Sequence, residues 1–273
     1  MDAARGSDAL ESEKIPRSAP PLRRVLGAFG VDVLLAIVIG LALMMGGGIA
    51  WGVIEGIRLA ATGAAPEAIT ASLQAPGAIV QLILALFGMG GVAIVLYVWR
   101  RPATRDERAQ SRAAAFRGST WLIVVMAGVG IFLFSSALSW LGHVLGIPPN
   151  PSNLLLLREA LSSHAWFVAL FAVVLAPVYE ELLFRRVLFG RLWQAGHPLL
   201  GMVLSGVAFA LAHELPGTGG NSAGATVLLL SVYAAMGMAF AWVYRRTGTL
   251  WAPIATHALN NAFALALLQL SGN

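Results

Sequence analysis

The sequence predicts an all-α polytopic membrane protein: a transmembrane helix bundle of about seven spans around an intramembrane polar cavity. Three observations carry that expectation. Of 273 residues, 58% are hydrophobic and only 11% are charged, whereas a soluble domain carries about a quarter charged residues. The apolar residues gather into runs close to the roughly 20 residues that cross a hydrocarbon core. The basic residues fall in alternate connections between those runs, so charge and hydropathy describe one topology.

Residues 1–28 are polar, contain proline and mix both signs of charge, and they read as a disordered cytoplasmic tail. The first span, 29–54, is too long for a signal-peptide core. No small-residue cleavage site follows it, so it is expected to stay in the chain. Its Gly46, Gly47 and Gly48 suit close helix approach and an irregular course. The remaining spans are expected at 77–99, 120–146, 165–189, 198–213, 225–244 and 250–270. The fifth is short for a full crossing and is the candidate for a re-entrant segment. Residues 29–118 thus hold the first two spans and a basic loop, and residues 119–273 hold the rest of the helical core.

Orientation follows from the 18 basic residues, 17 of them arginine. The N-terminal tail, the loop after span two, and the connections after spans four and six hold 16 of them; the other side has only Arg58 and Arg158. By the positive-inside rule the N-terminus is cytoplasmic. The net charge of +5 is therefore read as topology and not as affinity for nucleic acid. The absence of cysteine excludes a disulfide, a thiolate nucleophile and a Cys-ligated zinc.

Ionisable groups inside a span are costly and are functional candidates by default. Asp32, close to Arg23 and Arg24, reads as an interfacial acid, and His143 as an interfacial residue at the far end of span three. Neither His164 nor His197 attracts a role. The stretch APVYEELLFRR, residues 176–186, is different because it brings two adjacent acids into a run of hydrocarbon character. On a helix, neighbours point about 100° apart, so Glu180 and Glu181 are not expected to face the same cavity. Glu181 lies four residues before Arg185, on the same face, and is expected to pair with it. Glu180 is then left for the bundle interior. The plainer reading is that both acids mark a helix end among arginines, but Tyr179, Leu182, Leu183 and Phe184 keep their surroundings apolar.

His213 on span five and His257 with Asn261 on span seven complete the set. At about 1.5 Å per residue from the arginine-rich ends, Glu180, His257, Asn261 and His213 lie roughly 16, 11, 17 and 22 Å deep. They can share one cavity. A carboxylate beside a histidine takes a proton from water and returns it to a leaving amine; a histidine and an asparagine can hydrogen-bond a developing oxyanion. The same donors could instead hold a divalent metal such as zinc, with Glu180, His213 and His257 as ligands. No H-E-x-x-H occurs to settle the matter, and the lack of G-x-S-x-G leaves a serine hydrolase unsupported.

E-E-x-x-x-R at Glu180, Glu181 and Arg185, F-x-x-x-H at Phe209 and His213, and H-x-x-x-N at His257 and Asn261 follow one another in that order. Together they resemble the CPBP intramembrane proteases: the CAAX prenyl endopeptidases and the bacterial Abi or bacteriocin-processing proteins. The resemblance covers roughly residues 120–270. It implies a catalytic helical core over 119–273 with a cavity open to the cytosol, in a bacterial cell membrane, acting on a peptide or protein substrate at the bilayer. It implies Glu180 as the base activating water with help from His213, and His257 and Asn261 as the oxyanion site. Glu181 and Arg185 are then mainly structural, and Phe209 shapes the pocket. A metal-free glutamate mechanism and a metalloprotease mechanism are both compatible with the motifs. A non-catalytic immunity or scaffold protein that retains the pocket is the alternative function. A proton-coupled transporter is the weakest reading, because spans one to three offer almost no polar path.

Overall fold

The computed structural model describes residues 20–218 and 220–271, and among these every regular element is helical. In chain order the helices are α1 (Leu22–Ala61), α2 (Pro66–Gln74), α3 (Ala78–Arg100), α4 (Arg105–Ala115), α5 (Gly118–Val144), α6 (Leu154–Gln194), α7 (Pro198–His213), α8 (Ala223–Thr247) and α9 (Trp251–Ser271). Helix α1 starts ahead of the expected Phe29, so the last residues assigned to the tail are helical; residues 1–19 lie outside the described residues.

The seven expected runs are all helices at the expected places, but only five (α1, α3, α5, α6 and α8) are long and apolar enough to cross a membrane by length and composition alone. Helix α7 is apolar but has 16 residues. Helix α9 has 21 residues, yet His257, Asn260 and Asn261 dilute its apolar character. Thus α7 and α9, which bring the functional candidates to the site, are the two that do not qualify.

Helices α2 and α4 were not expected, although both carry start signals. Pro66 opens α2, where its missing N–H costs nothing. Thr104 and Glu107 form a reciprocal capping box at the start of α4. Helix α4 lies across the arginine-rich end of the bundle. Arg186 donates to Glu107 at 3.1 and 2.7 Å, and Ser111 and Thr249 share a hydrogen bond of 2.9 Å. The Arg186 guanidinium holds the Glu107 carboxyl down at about 2, since the ionised form keeps those bonds.

Helix α6 is not uniform. His164 has non-helical dihedrals (φ −144°, ψ 56°), so a break falls at the position where the expected span begins. Beyond it, wider π-type turns occur at Phe171–Leu175 and Leu182–Phe189, on either side of the regular stretch Ala176–Glu181. Pro177 stands just after the first π turn, where the backbone ladder is already interrupted and its missing donor is tolerated.

Helices α7 and α8 touch backbone to backbone. A Cβ on Gly237 would fall 2.8 Å from the Cα of Gly206 and 3.1 Å from the Cβ of Phe209. Only glycine allows that approach, the usual device where lipid gives no hydrophobic drive for helix pairing. It seats Phe209 among the core residues Phe184, Phe240, Leu183 and Val187.

Asp32 is not interfacial, as the sequence suggested, but fully buried. Its partners are not Arg23 and Arg24. Its Oδ1 accepts from Arg100 Nε at 2.8 Å and its Oδ2 from Arg191 Nε. These arginines are 68 and 159 residues away in sequence, beyond any local pattern. The pairing is the main polar tie of α1, whose Leu34, Leu41 and Met45 are otherwise exposed to the apolar surroundings.

Candidate active site

The regular stretch of α6 presents Glu180 and Glu181 to the bundle, with Arg185 one turn on. Glu181 and Arg185 are both fully buried and form the expected pair, with Arg185 Nε 2.7 Å from Glu181 Oε2 and Nη2 donating to Oε1 at 3.2 Å. Arg185 Nη1 has no hydrogen-bond acceptor. The guanidinium instead sits 4.9 Å from the Phe209 ring centre, 5.3 Å from that of Phe240 and 5.8 Å from that of Phe184. Three π faces thus supply attraction that a desolvated cation would otherwise lack.

Glu181 does more than hold Arg185. Its Oε1 also accepts from His257 Nδ1 at 3.0 Å. Glu180 Oε2 lies 3.8 Å from Nε2 of the same imidazole. The adjacent glutamates were expected to face different ways, yet both reach His257, because the ring stands between them and offers each a different nitrogen. Their division of work is set by the two edges of one ring.

His213 approaches from α7. Its Nδ1 is 2.9 Å from the Phe209 carbonyl and its Nε2 is 3.5 Å from Glu180 Oε2. A carbonyl and a carboxylate only accept, so both histidines carry a proton on Nδ1. In the neutral rings both Nε2 atoms are then acceptors, and both face a third, Glu180 Oε2. That oxygen is buried and makes no hydrogen bond within the described residues. Separations of 3.5 and 3.8 Å are long for direct bonds and suit a bridging water or a shared proton.

Aromatic rings fix the imidazoles. Phe209 lies 4.2 Å from His213 and 5.8 Å from His257, centre to centre, so it borders both. Phe240 stacks on His257 at 4.6 Å with a 19° interplanar angle, and Tyr233 lies 4.9 Å from His213. Tyr233 and Phe240 come from α8, which the motif reading left out of the site. Their only sequence signal is aromatic character on an apolar span.

Asn261 is close by on α9, with its amide turned to the backbone of α6. Nδ2 donates to Ala172 O at 2.9 Å, and Oδ1 accepts from Asn260 at 3.3 Å. Ala172 belongs to the first π turn, which ties that irregularity to α9. One of the two amide hydrogens of Asn261 is used there; the other remains for a ligand. The zinc alternative gains no support: among the described residues no group of three or more His, Asp or Glu side chains is arranged to hold a metal ion.

An acid and two histidines carried on apolar helices, with a second acid behind one histidine, define a membrane-embedded protein with a hydrolase-like polar site. Comparison with known proteins narrows the class. Residues 162–263 match the model of the type II CAAX prenyl endopeptidase Rce1-like family. Over 178 residues the chain is 28% identical to YdiL of Bacillus subtilis (strain 168), named as a candidate membrane peptidase, covering 64% of this chain and 67% of that protein. Over 125 residues it is 29% identical to the membrane-embedded CAAX protease MroQ of Staphylococcus aureus (strain USA300), covering 44% of each. No solved structure matches significantly. The chain therefore belongs to the Rce1-like CAAX protease family, with the family domain spanning the second half of α6 through most of α9, and the motif resemblance is borne out at that level.

Proposed function

We propose that the protein is an intramembrane endopeptidase that hydrolyses a peptide bond close to the membrane by a glutamate-based mechanism. The observation that carries this reading is the buried Glu180 Oε2, without a hydrogen bond of its own and facing Nε2 of both His213 and His257. A buried carboxylate kept only for structure would be satisfied. One left open between two imidazoles is poised to take a proton, which argues against a non-catalytic scaffold that merely retains the pocket.

In this reading a water bridging Glu180 and His213 loses its proton to the carboxylate and attacks the peptide carbonyl. His213 and Glu180 return that proton to the leaving amine. His257, protonated on both nitrogens, donates from Nε2 to the developing oxyanion, and Glu181 on Nδ1–H stabilises that imidazolium. The free amide hydrogen of Asn261 is the second donor. Arg185 keeps Glu181 ionised by pairing with it, so the conserved-looking ion pair acts on the chemistry through His257. The arginine-rich end, with the N-terminus, faces the cytoplasm of a bacterial cell.

The names of the relatives make a CAAX-type peptide the first substrate to assay, both prenylated and unmodified. Purified protein should cleave a fluorescence-quenched peptide of that kind, and the activity should survive rigorous chelation. Activity that disappears with chelator and returns with zinc would overturn the glutamate mechanism.

A further inference from the structure

At the arginine-rich end, three guanidiniums share one carboxylate. Arg100 and Arg191 each use Nε to reach Asp32. Their terminal nitrogens make no hydrogen bond among the described residues. Arg101 stands beside them without a carboxylate bond. Its Nη2 donates to Gly190 O at 3.1 Å and to the Gln194 side chain, its Nε is buried without a partner, and its Nη1 makes no hydrogen bond. The nearest other carboxylate, Glu107, is already held by both terminal nitrogens of Arg186. Burial, then the charges of Arg191 and Arg186, push Arg101 below the usual arginine value, so the neighbourhood is short of negative charge. Trp99, exposed on the lipid-facing surface, precedes Arg100 and places the cluster where an aromatic residue marks the membrane interface.

We propose that Arg100, Arg101 and Arg191 bind a phosphate group, presented by the headgroup of an anionic phospholipid. Forked guanidinium donors match phosphate oxygens, and basic pockets at this level between membrane helices are suited to anionic headgroups. The lipid would complete a cluster that joins α1, through Asp32, to the end of α6, the helix that carries Glu180 and Glu181. The binding needs no assumption about catalysis.

The test uses the full chain in detergent micelles doped with dioleoyl-phosphatidylglycerol or, separately, dioleoyl-phosphatidylcholine, with inorganic phosphate as a third arm. Thermal unfolding and native mass spectrometry read the binding. Phosphatidylglycerol should raise the unfolding temperature and remain bound; phosphatidylcholine, which offsets its phosphate with a cation, should not. Arg101→Gln should weaken phosphatidylglycerol binding about fivefold or more, as expected for one arginine near an anionic surface. Arg100→Gln, at a more exposed position, should weaken it similarly and covers the case of a poorly folded Arg101 variant. The paired control Arg245→Gln with Arg246→Gln removes exposed charge from the last turn of α8 and should have the smaller effect. The proposal fails if both lipids act alike, if that control weakens binding as much as Arg101→Gln, or if both site variants bind as the wild type does. Saturation by inorganic phosphate that blocks phosphatidylglycerol would overturn the lipid as the source.

Discussion

Replacing Glu180 by Gln and replacing Glu181 by Gln are chemically the same change one residue apart, and their consequences should separate. Glu180 Oε2 has no hydrogen bond within the described residues and faces two acceptor nitrogens. An amide there can donate to an imidazole, so Glu180→Gln should leave thermal stability unchanged or slightly higher. It removes the base, and a positioned base contributes about 10²- to 10⁴-fold. The expected result is a loss of about 10³ in kcat/KM, or about 4 kcal/mol of barrier. Glu181→Gln acts on the other side of the ring. It strands Arg185, whose only carboxylate within bonding distance is Glu181. Breaking a buried pair from one side costs about 3–5 kcal/mol, a fall in unfolding temperature on the order of 10 °C. It also unpins His257, so activity should fall with stability. Differential scanning fluorimetry and a peptide-cleavage assay on the same purified variants decide the matter. Full activity in Glu180→Gln would remove the proposed base. A destabilisation of Glu180→Gln equal to that of Glu181→Gln would show that the two glutamates share a structural role.

Further outcomes follow from other parts of the molecule. Gly237→Ala forces a Cβ onto the Gly206 backbone and should cost about 1–3 kcal/mol in thermal unfolding, with reduced turnover as Phe209 and His213 shift away from α8. Asp32→Asn leaves Arg100 and Arg191 without their shared carboxylate and should cost about 3–5 kcal/mol; wild-type stability would mean that α1 is held by other contacts. The Glu107 carboxyl is depressed to about 2, so its contribution is present above its ordinary value near 4.5 and is lost as pH falls from there toward 2. Glu107 is partly exposed, so the effect should stay below about 1 kcal/mol. Comparing wild type with Glu107→Gln across pH 2–5 should show a shallower acid limb in the variant. Asn261→Leu should lower kcat by about 10²-fold if its free amide hydrogen serves the oxyanion, and an unchanged kcat would confine Asn261 to its bond with Ala172.

Most of the helical layout was legible because it rests on local composition. Long apolar runs cross lipid, and the spacing of Glu181 to Arg185 and of Phe209 to His213 is one helical turn. Helix α4 went unnoticed because it is polar throughout, although T-x-x-E at Thr104–Glu107 announces its start. What sequence could not reach depends on contacts between distant segments. Asp32 looked interfacial because Arg23 and Arg24 are near in sequence, whereas its partners come from α3 and α6. The two glutamates looked divided by helical geometry, and the rotation is real, but a ring entering from α9 meets both. Tyr233 and Phe240 border the histidines with no motif to mark them.

The π turns of α6 carry a consequence for how this segment can change. Each widened turn accommodates an extra residue and so advances the phase of everything after it. Deleting one residue within Phe171–Leu175 would restore a regular ladder and rotate Glu180 by about 100° about the helix axis, away from both imidazoles. Substitutions here alter packing by degrees, but a change in chain length is all-or-none. The aim of the catalytic acid is thus encoded partly as a count of backbone units, independent of which side chains those units bear.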